Sequence, residues 1–174
     1  MDAATIDAAR QGDRKAQARL LVALQDVWFR FCVSQLRDAD RAADATQETA
    51  LRFLKQLAGF RGDSQLQTWS LGIALNVVRE MKRKRSAEGL DERSDRACAD
   101  QPIGDDLEVG ESKEMLRQTL DLLPDRQREA VVLRFFEELS VEQTAAAMNC
   151  AVGTVKATVH QALRALRQKM NEMI

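Results

Sequence analysis

The chain has 174 residues, 45% apolar and 30% charged, with a formal net charge of −1 and a single histidine. Two prolines and eight glycines, among abundant Ala, Leu, Arg, Gln and Glu, favour an all-α fold. No apolar run approaches the roughly 20 residues needed to span a bilayer, and Met1-Asp2-Ala3-Ala4 lacks the basic and apolar stretches of a secretory leader, so a cytoplasmic protein without membrane insertion is expected.

Taken in chain order, residues 3–10 form a short helix broken near Gly12-Asp13. A helix from Arg14 to Leu36 follows, with Leu20, Leu21, Leu24, Val27, Trp28, Phe31 and Cys32 on its apolar side. Asp38-Ala39-Asp40 offers an N-cap to the next helix, whose inward residues read as Ala43, Thr46, Ala50, Phe53, Leu54 and Leu57. Gly59 to Asp63 is a loop. Ser64 with Gln67 makes a capping box for a helix through Trp69, Ile73, Val77 and Met81 into Lys82-Arg83-Lys84-Arg85. Four such helices can enclose one core, giving a first domain over 1–85.

Charge then changes sign. Ala50 to Arg85 holds eight Lys/Arg against two acids, whereas Ser86 to Ser112 holds nine acids against two Arg. The acidic segment has three glycines, one proline and no periodicity, and is expected to be a flexible linker over 86–112. Its 27 residues reach about 90 Å when stretched and about 30 Å when relaxed. A second helical domain is expected over 113–174, with helices at Lys113–Leu123 and from Pro124-Asp125.

A helix–turn–helix spans Ser140 to Leu166. Ser140 and Gln143 form a capping box, Val141, Ala145 and Met148 an apolar stripe, and Asn149 a left-handed turn residue. The second helix buries Val155, Val159, Ala162, Leu166 and Met170. Its other face carries Thr154, Lys156, Thr158, His160, Gln161 and Arg164, donors, acceptors and cations suited to a major groove. A second DNA-facing stripe reads as Thr68, Gly72, Asn76, Arg79 and Arg83, with Lys82 and Lys84 for phosphates. The loop Phe60-Arg61-Gly62-Asp63 could hold an unstacked base, while Trp69 reads as core.

Cys32, Cys98 and Cys150 form no CxxC pair or His/Cys cluster, so neither disulfide framework, metal site nor cofactor is expected. Cys32 and Cys150 read as small core residues and Cys98 as exposed. Asp44 and Glu48 lie one turn apart but lack a His, Cys or Gly-rich partner, and His160 is on the recognition face, so no catalytic arrangement emerges. Pairing with Arg41 or Arg52 explains those acids more simply.

Three motifs occur in order: Asp44-Ala45-Thr46-Gln47-Glu48-Thr49; Phe60-Arg61-Gly62 through Thr68-Trp69 to Ile73-Ala74-Leu75-Asn76 and a basic run; and Leu122-Leu123-Pro124, Arg128, then Leu139-Ser140 to Gly153-Thr154-Val155-Lys156. Together, over nearly the whole chain, they resemble a bacterial sigma factor of the extracytoplasmic-function (ECF, group 4) type. The resemblance implies that Asp44, Gln47 and Glu48, with Leu51 nearby, dock on the clamp helices of core RNA polymerase. It implies that Phe60, Arg61, Gly62, Asp63, Thr68, Asn76, Arg79, Lys82 and Arg83 recognise and melt a −10-type promoter element. The helix–turn–helix would read a −35-type element, the acidic linker would thread toward the active-site and RNA-exit channels, and an anti-sigma factor would be a further partner. The chain departs from the family pattern at Ala45-Thr46, where larger aliphatics are usual, at Ser70 for an apolar residue, at Leu75 for a basic one and at Asn149 for Gly. A stand-alone helix–turn–helix transcriptional regulator is the alternative, and it differs in binding duplex DNA tightly without polymerase.

Overall fold

Each of the first three helices begins where an aspartate accepts a free backbone N–H, one of the groups a helix start leaves unbonded. Asp2 accepts from Thr5 at 2.6 Å, Asp13 from Ala16 at 2.9 Å and Asp38 from Arg41 at 2.9 Å. In the computed structural model, which describes residues 2–89 and 118–173, these caps start α1 (Ala3–Arg10), α2 (Arg14–Leu36) and α3 (Ala39–Gln56). Arg37 ends α2 in the left-handed region at φ 57°. A 3-10 turn, Leu57–Gly59, leads from α3 to the loop before α4 (Leu66–Ala87). There the capping expectation fails: α4 starts two residues later than Ser64, with Gln65 at the cap position and no side-chain cap.

The chain divides into two compact units, Met1–Cys98 and Ala99–Ile174. In the first, α2, α3 and α4 pack on one another and α1 packs on α2. Leu20, Leu24, Trp28, Phe31 and Cys32 are buried as the spacing on α2 predicts, joined by Ala16, Gln35 and Leu36. On α3, Phe53 is buried as expected, as is Leu57 just beyond it, but the rest of the buried stripe is Ala42, Ala45 and Thr49. Ala43, Thr46, Ala50 and Leu54 are only half-buried. The two stripes are neighbouring registers of an Ala/Thr-rich helix, and the packing of α2 and α4 selects between them. Ala45 is fully buried, so its small size serves close helix packing and not an outer surface.

Helix α4 is buried nearly all round over its first three turns: Leu66, Thr68, Ser70, Leu71, Ile73, Ala74, Leu75, Val77 and Val78. Ser70 has a partner that accounts for it. The Trp28 indole N–H donates to Ser70 Oγ at 2.9 Å, and Ser70 Oγ donates to the Gln67 carbonyl at 2.8 Å. An apolar residue there would leave a buried indole N–H unsatisfied. Trp28, Phe53, Trp69 and Phe60 form an aromatic series, with successive ring centroids 5.2, 5.6 and 5.0 Å apart.

The second unit is described from residue 118, and residues 118–121 are helical. Most of the expected linker and the start of the helix expected at Lys113 lie outside the described residues, as does Cys98. Helix α5 (Asp125–Val131) passes into a π-helical turn (Val132–Phe136), then come α6 (Val141–Met148) and α7 (Val152–Met173). Leu120, Leu123, Val131, Ala162 and Leu166 make the core. Arg128, 4% exposed, completes it: Nε donates to the Leu120 carbonyl at 3.1 Å, and an Nη to those of Asp121 and Leu123 at 3.3 and 2.8 Å. Burial pushes the Cys32 thiol up to about 12, against a hydrogen bond with Thr46 that lowers it. Cys150, by contrast, is half-exposed at the turn between α6 and α7, and not the core residue its sequence context predicts.

Candidate polymerase and promoter surfaces

The α3 surface is built by helical spacing. Asp44, Gln47 and Leu51 are exposed and three or four residues apart, with Glu48 half-buried beside them. Leu51 is 54% exposed, a large apolar side chain standing among polar ones. An apolar centre with a polar rim is the general composition of a protein-binding surface. Arg52 borders it. Its Nε donates to Glu48 at 2.6 Å, and its two terminal nitrogens reach both Glu80 oxygens on α4 at 2.8 and 2.7 Å. Hydrogen bonds donated to Glu80 and then to Glu48 raise the Arg52 pKa above its ordinary value, and the Arg52 guanidinium lowers that of the Glu80 carboxyl.

The promoter-facing stripe proposed for α4 begins one turn later than its sequence implies. Asn76 and Arg83 are exposed, with Arg79, Lys82 and Gly72 half-buried. Thr68 is 1% exposed and faces the interior, so it is no part of this surface. Thr is compatible with either environment, and only the helices surrounding this end of α4 decide. Phe60 is likewise buried, its ring against Trp69, and therefore shapes the loop without offering a free face to a base. Leu75, standing where a basic residue is usual, is fully buried, so the family difference there removes no surface cation. The loop itself is exposed at Arg61, Gly62 and Asp63. Gly62 has φ +79°, which a residue with a Cβ adopts only under strain. An Arg61–Asp63 ion pair of 3.2 Å spans it.

In the second unit the helix–turn–helix forms as its local signals predict. Gln143 N–H donates to Ser140 Oγ at 3.0 Å while Ser140 N–H donates to the Gln143 side chain at 2.7 Å. Asn149 ends α6 at φ 50°, doing the work of the family's usual Gly. Along α7, Val155, Ala162 and Leu166 are buried and Val159 half-buried; Met170 lies outside the described side chains. Thr154, Lys156, His160, Gln161 and Arg164 are exposed, and Thr158 is half-buried at the margin. Gly153 and Ala157, passed over in the sequence, are exposed on this face and leave it low enough for close approach to a groove. At the start of α6, bonds to its own backbone N–H and to Ser140 hold Glu142 below the usual carboxylate range, with Lys156 and Arg134 adding to the effect.

Residues 20–88 match Sigma-70 region 2, and residues 113–166 match Sigma-70 region 4. The RNA polymerase sigma-H factor of Pseudomonas aeruginosa is 31% identical across 99% of this chain and 95% of its own. The chain belongs to the ECF family of RNA polymerase sigma factors. The ECF sigma factor EcfG of Rhodopseudomonas palustris is 36% identical over 83% of this chain and 77% of its length. The solved structure of the sigma factor RpoE with the anti-sigma factor NepR from Bartonella quintana covers 88% of this chain and 96% of its sigma chain, with a TM-score of 0.73 and 26% identity. As a family member, this sigma factor binds core RNA polymerase and promoter DNA and directs transcription initiation. Among the described residues, no helix is long and apolar enough to cross a membrane, and no group of three metal-ligating side chains occurs.

Proposed function

We propose that the chain divides its work as 1–85 for polymerase docking and −10-type recognition, 86–112 as an acidic tether, and 113–174 for −35-type reading. The observation that carries the docking assignment is exposed Leu51 set among Asp44, Gln47 and Glu48 on one face of α3. Asn76, Arg79, Lys82 and Arg83 on α4, with Arg61, Gly62 and Asp63 in the loop, handle the −10-type element. Phe60 and Thr68 support these from within. Thr154, Lys156, Thr158, His160, Gln161 and Arg164 read the −35-type duplex. The protein acts in the cytoplasm as an initiation factor without catalytic chemistry of its own. An anti-sigma factor is a further partner, on the strength of the likeness to the NepR-bound RpoE structure.

Two experiments test the division on the promoter that transcript-start mapping identifies. Lys156→Ala with Arg164→Ala should lower promoter output about thirtyfold, since each phosphate or base contact is worth about 1 kcal/mol or more, while core association is kept. Unchanged output would remove α7 from the role. Asn76→Ala should slow promoter opening about tenfold, the loss of one base-edge interaction of about 1.4 kcal/mol, with duplex binding little altered. Permanganate reactivity of the opened strands is the readout, and normal melting would contradict the α4 assignment.

A further inference from the structure

Arg52 joins two surfaces that the sequence separates by 28 residues. It lies one turn beyond Glu48 on α3, and it reaches across to Glu80 on α4, which itself lies one turn beyond Asn76. The grip on Glu80 is a two-pronged one, both guanidinium nitrogens meeting both carboxylate oxygens, which fixes orientation as well as distance. The third prong, Nε, fixes the Glu48 carboxylate on the docking face. All three side chains retain solvent exposure, 30% for Arg52, 45% for Glu48 and 43% for Glu80, so the network lies at the surface and is partly screened by water. The helices themselves are held together by the buried core of Trp28, Phe53, Leu71 and Leu75.

We propose that Arg52 is a positioning residue that couples polymerase docking to promoter opening, by tying the docking face of α3 at Glu48 to the promoter-facing part of α4 at Glu80. The inference rests on the assignment of those two faces made above. A guanidinium shared between them transmits the position of the clamp-bound α3 to the helix that carries Asn76, Arg79 and Arg83. It also neutralises Glu80, the acid within a run of cations meant for phosphates.

The test uses the full chain assembled with core polymerase and compares a duplex promoter with the same promoter pre-melted over the opened region. Arg52→Ala, Arg52→Lys and Glu80→Gln should each slow opening of the duplex several-fold, about tenfold for Arg52→Ala. That factor is what one charge-assisted grip is worth. At saturating core polymerase, transcription from the pre-melted promoter and helix content should stay within twofold of the unsubstituted protein. Lysine fails to restore the rate because it lacks the planar fork. The double variant Arg52→Ala with Glu80→Gln should be no slower than Arg52→Ala alone, because the two residues act as one unit. Equal loss on duplex and pre-melted templates would assign Arg52 a merely structural part and overturn the proposal, as would an unaltered duplex rate. If the docking assignment itself is wrong, Gln47→Ala with Glu48→Arg will leave core binding intact, a different outcome from either of these.

Discussion

Gln47→Ala combined with Glu48→Arg should weaken binding to core RNA polymerase about a hundredfold while the helical fold survives. Gln47 is exposed and the Glu48 side chain is 45% exposed, so neither substitution opens the core. Glu48 already accepts a hydrogen bond from Arg52 Nε at 2.6 Å. Reversing its charge places two cations one turn apart at the border of the proposed docking face. Removing or reversing one member of a desolvated interfacial charge pair costs about 2–5 kcal/mol, and 2.8 of these is a hundredfold. The measurement is competition with unlabelled chain for labelled core enzyme. Asp26→Arg, a charge reversal at an exposed position on α2, is the control and should bind as the unsubstituted protein does. Normal affinity of the double variant, with circular dichroism unchanged, would take this face out of the interface.

Arg128→Ala should destabilise the second unit by about 3 kcal/mol, the cost of breaking a buried charge-assisted network. Arg128 is buried, and its guanidinium supplies hydrogen bonds to the carbonyls of Leu120, Asp121 and Leu123 and approaches Asp125 at 3.4 Å. Those carbonyls close a helix end that has no glycine cap. Without the guanidinium, the Leu120 carbonyl keeps its bond from the Leu123 N–H at 3.0 Å, while the Asp121 and Leu123 carbonyls lose the Arg128 donor beside a core of Leu120, Leu123 and Val131. At about 4–8 °C per kcal/mol for a domain of this size, the unit should melt some 15 °C earlier. The two tryptophans, Trp28 and Trp69, both belong to the first unit, which separates the signals. Ellipticity should therefore fall early while the tryptophan fluorescence midpoint holds. Arg128→Lys should not rescue, since one ammonium nitrogen cannot stand in for the separate Nε and Nη donors of the guanidinium fork. A coincident shift of both signals, or none, would mean that Arg128 does not hold the second unit together.

What the sequence disclosed was local. The Ser140–Gln143 box, the left-handed Asn149 and the aspartate cap of α3 depend on neighbours within four residues, and each forms as its chemistry dictates. The stripes of α2 and α7 were legible because large apolar residues mark them. On α3 the marking is weak, since alanines and threonines occupy both candidate registers, and the packing partners decide. Thr68 and Phe60 misled for the same kind of reason. Their side chains suit a nucleic-acid surface, but α4 is enclosed at that end and Phe60 folds over Trp69. Ser64 misled differently: a capping motif in the sequence that the loop leaves unused, with α4 starting at Leu66. The pairing of Arg52 with Glu48 followed from helical spacing. Its second arm to Glu80 did not, because nothing local connects α3 with α4. Arg128 appeared only as part of a motif, and its role is set by carbonyls that no side-chain pattern reveals.

The exposure of the candidate site residues, by contrast, was mostly legible by type and spacing. Asn76, Arg83, Lys156, His160, Gln161 and Arg164 are exposed where the wheel of each helix places them. Polar side chains on an exposed helical face are the predictable remainder once the apolar face is found. Residues 20–88 and 113–166 match Sigma-70 regions 2 and 4.

Two modest nucleic-acid grips on one chain gain affinity when a larger body holds both in register, because the second contact then forms at high effective concentration. The most direct test is the anisotropy of a labelled duplex carrying the mapped promoter, titrated with the full chain in the absence and presence of core RNA polymerase at physiological salt. The account predicts binding weaker than about 1 µM and indifferent to promoter sequence for the chain alone, the range of non-specific contacts. With core enzyme, binding becomes promoter-specific and transcripts start at the mapped position. Tight, sequence-specific binding without core enzyme would contradict it and make this chain a self-sufficient DNA reader.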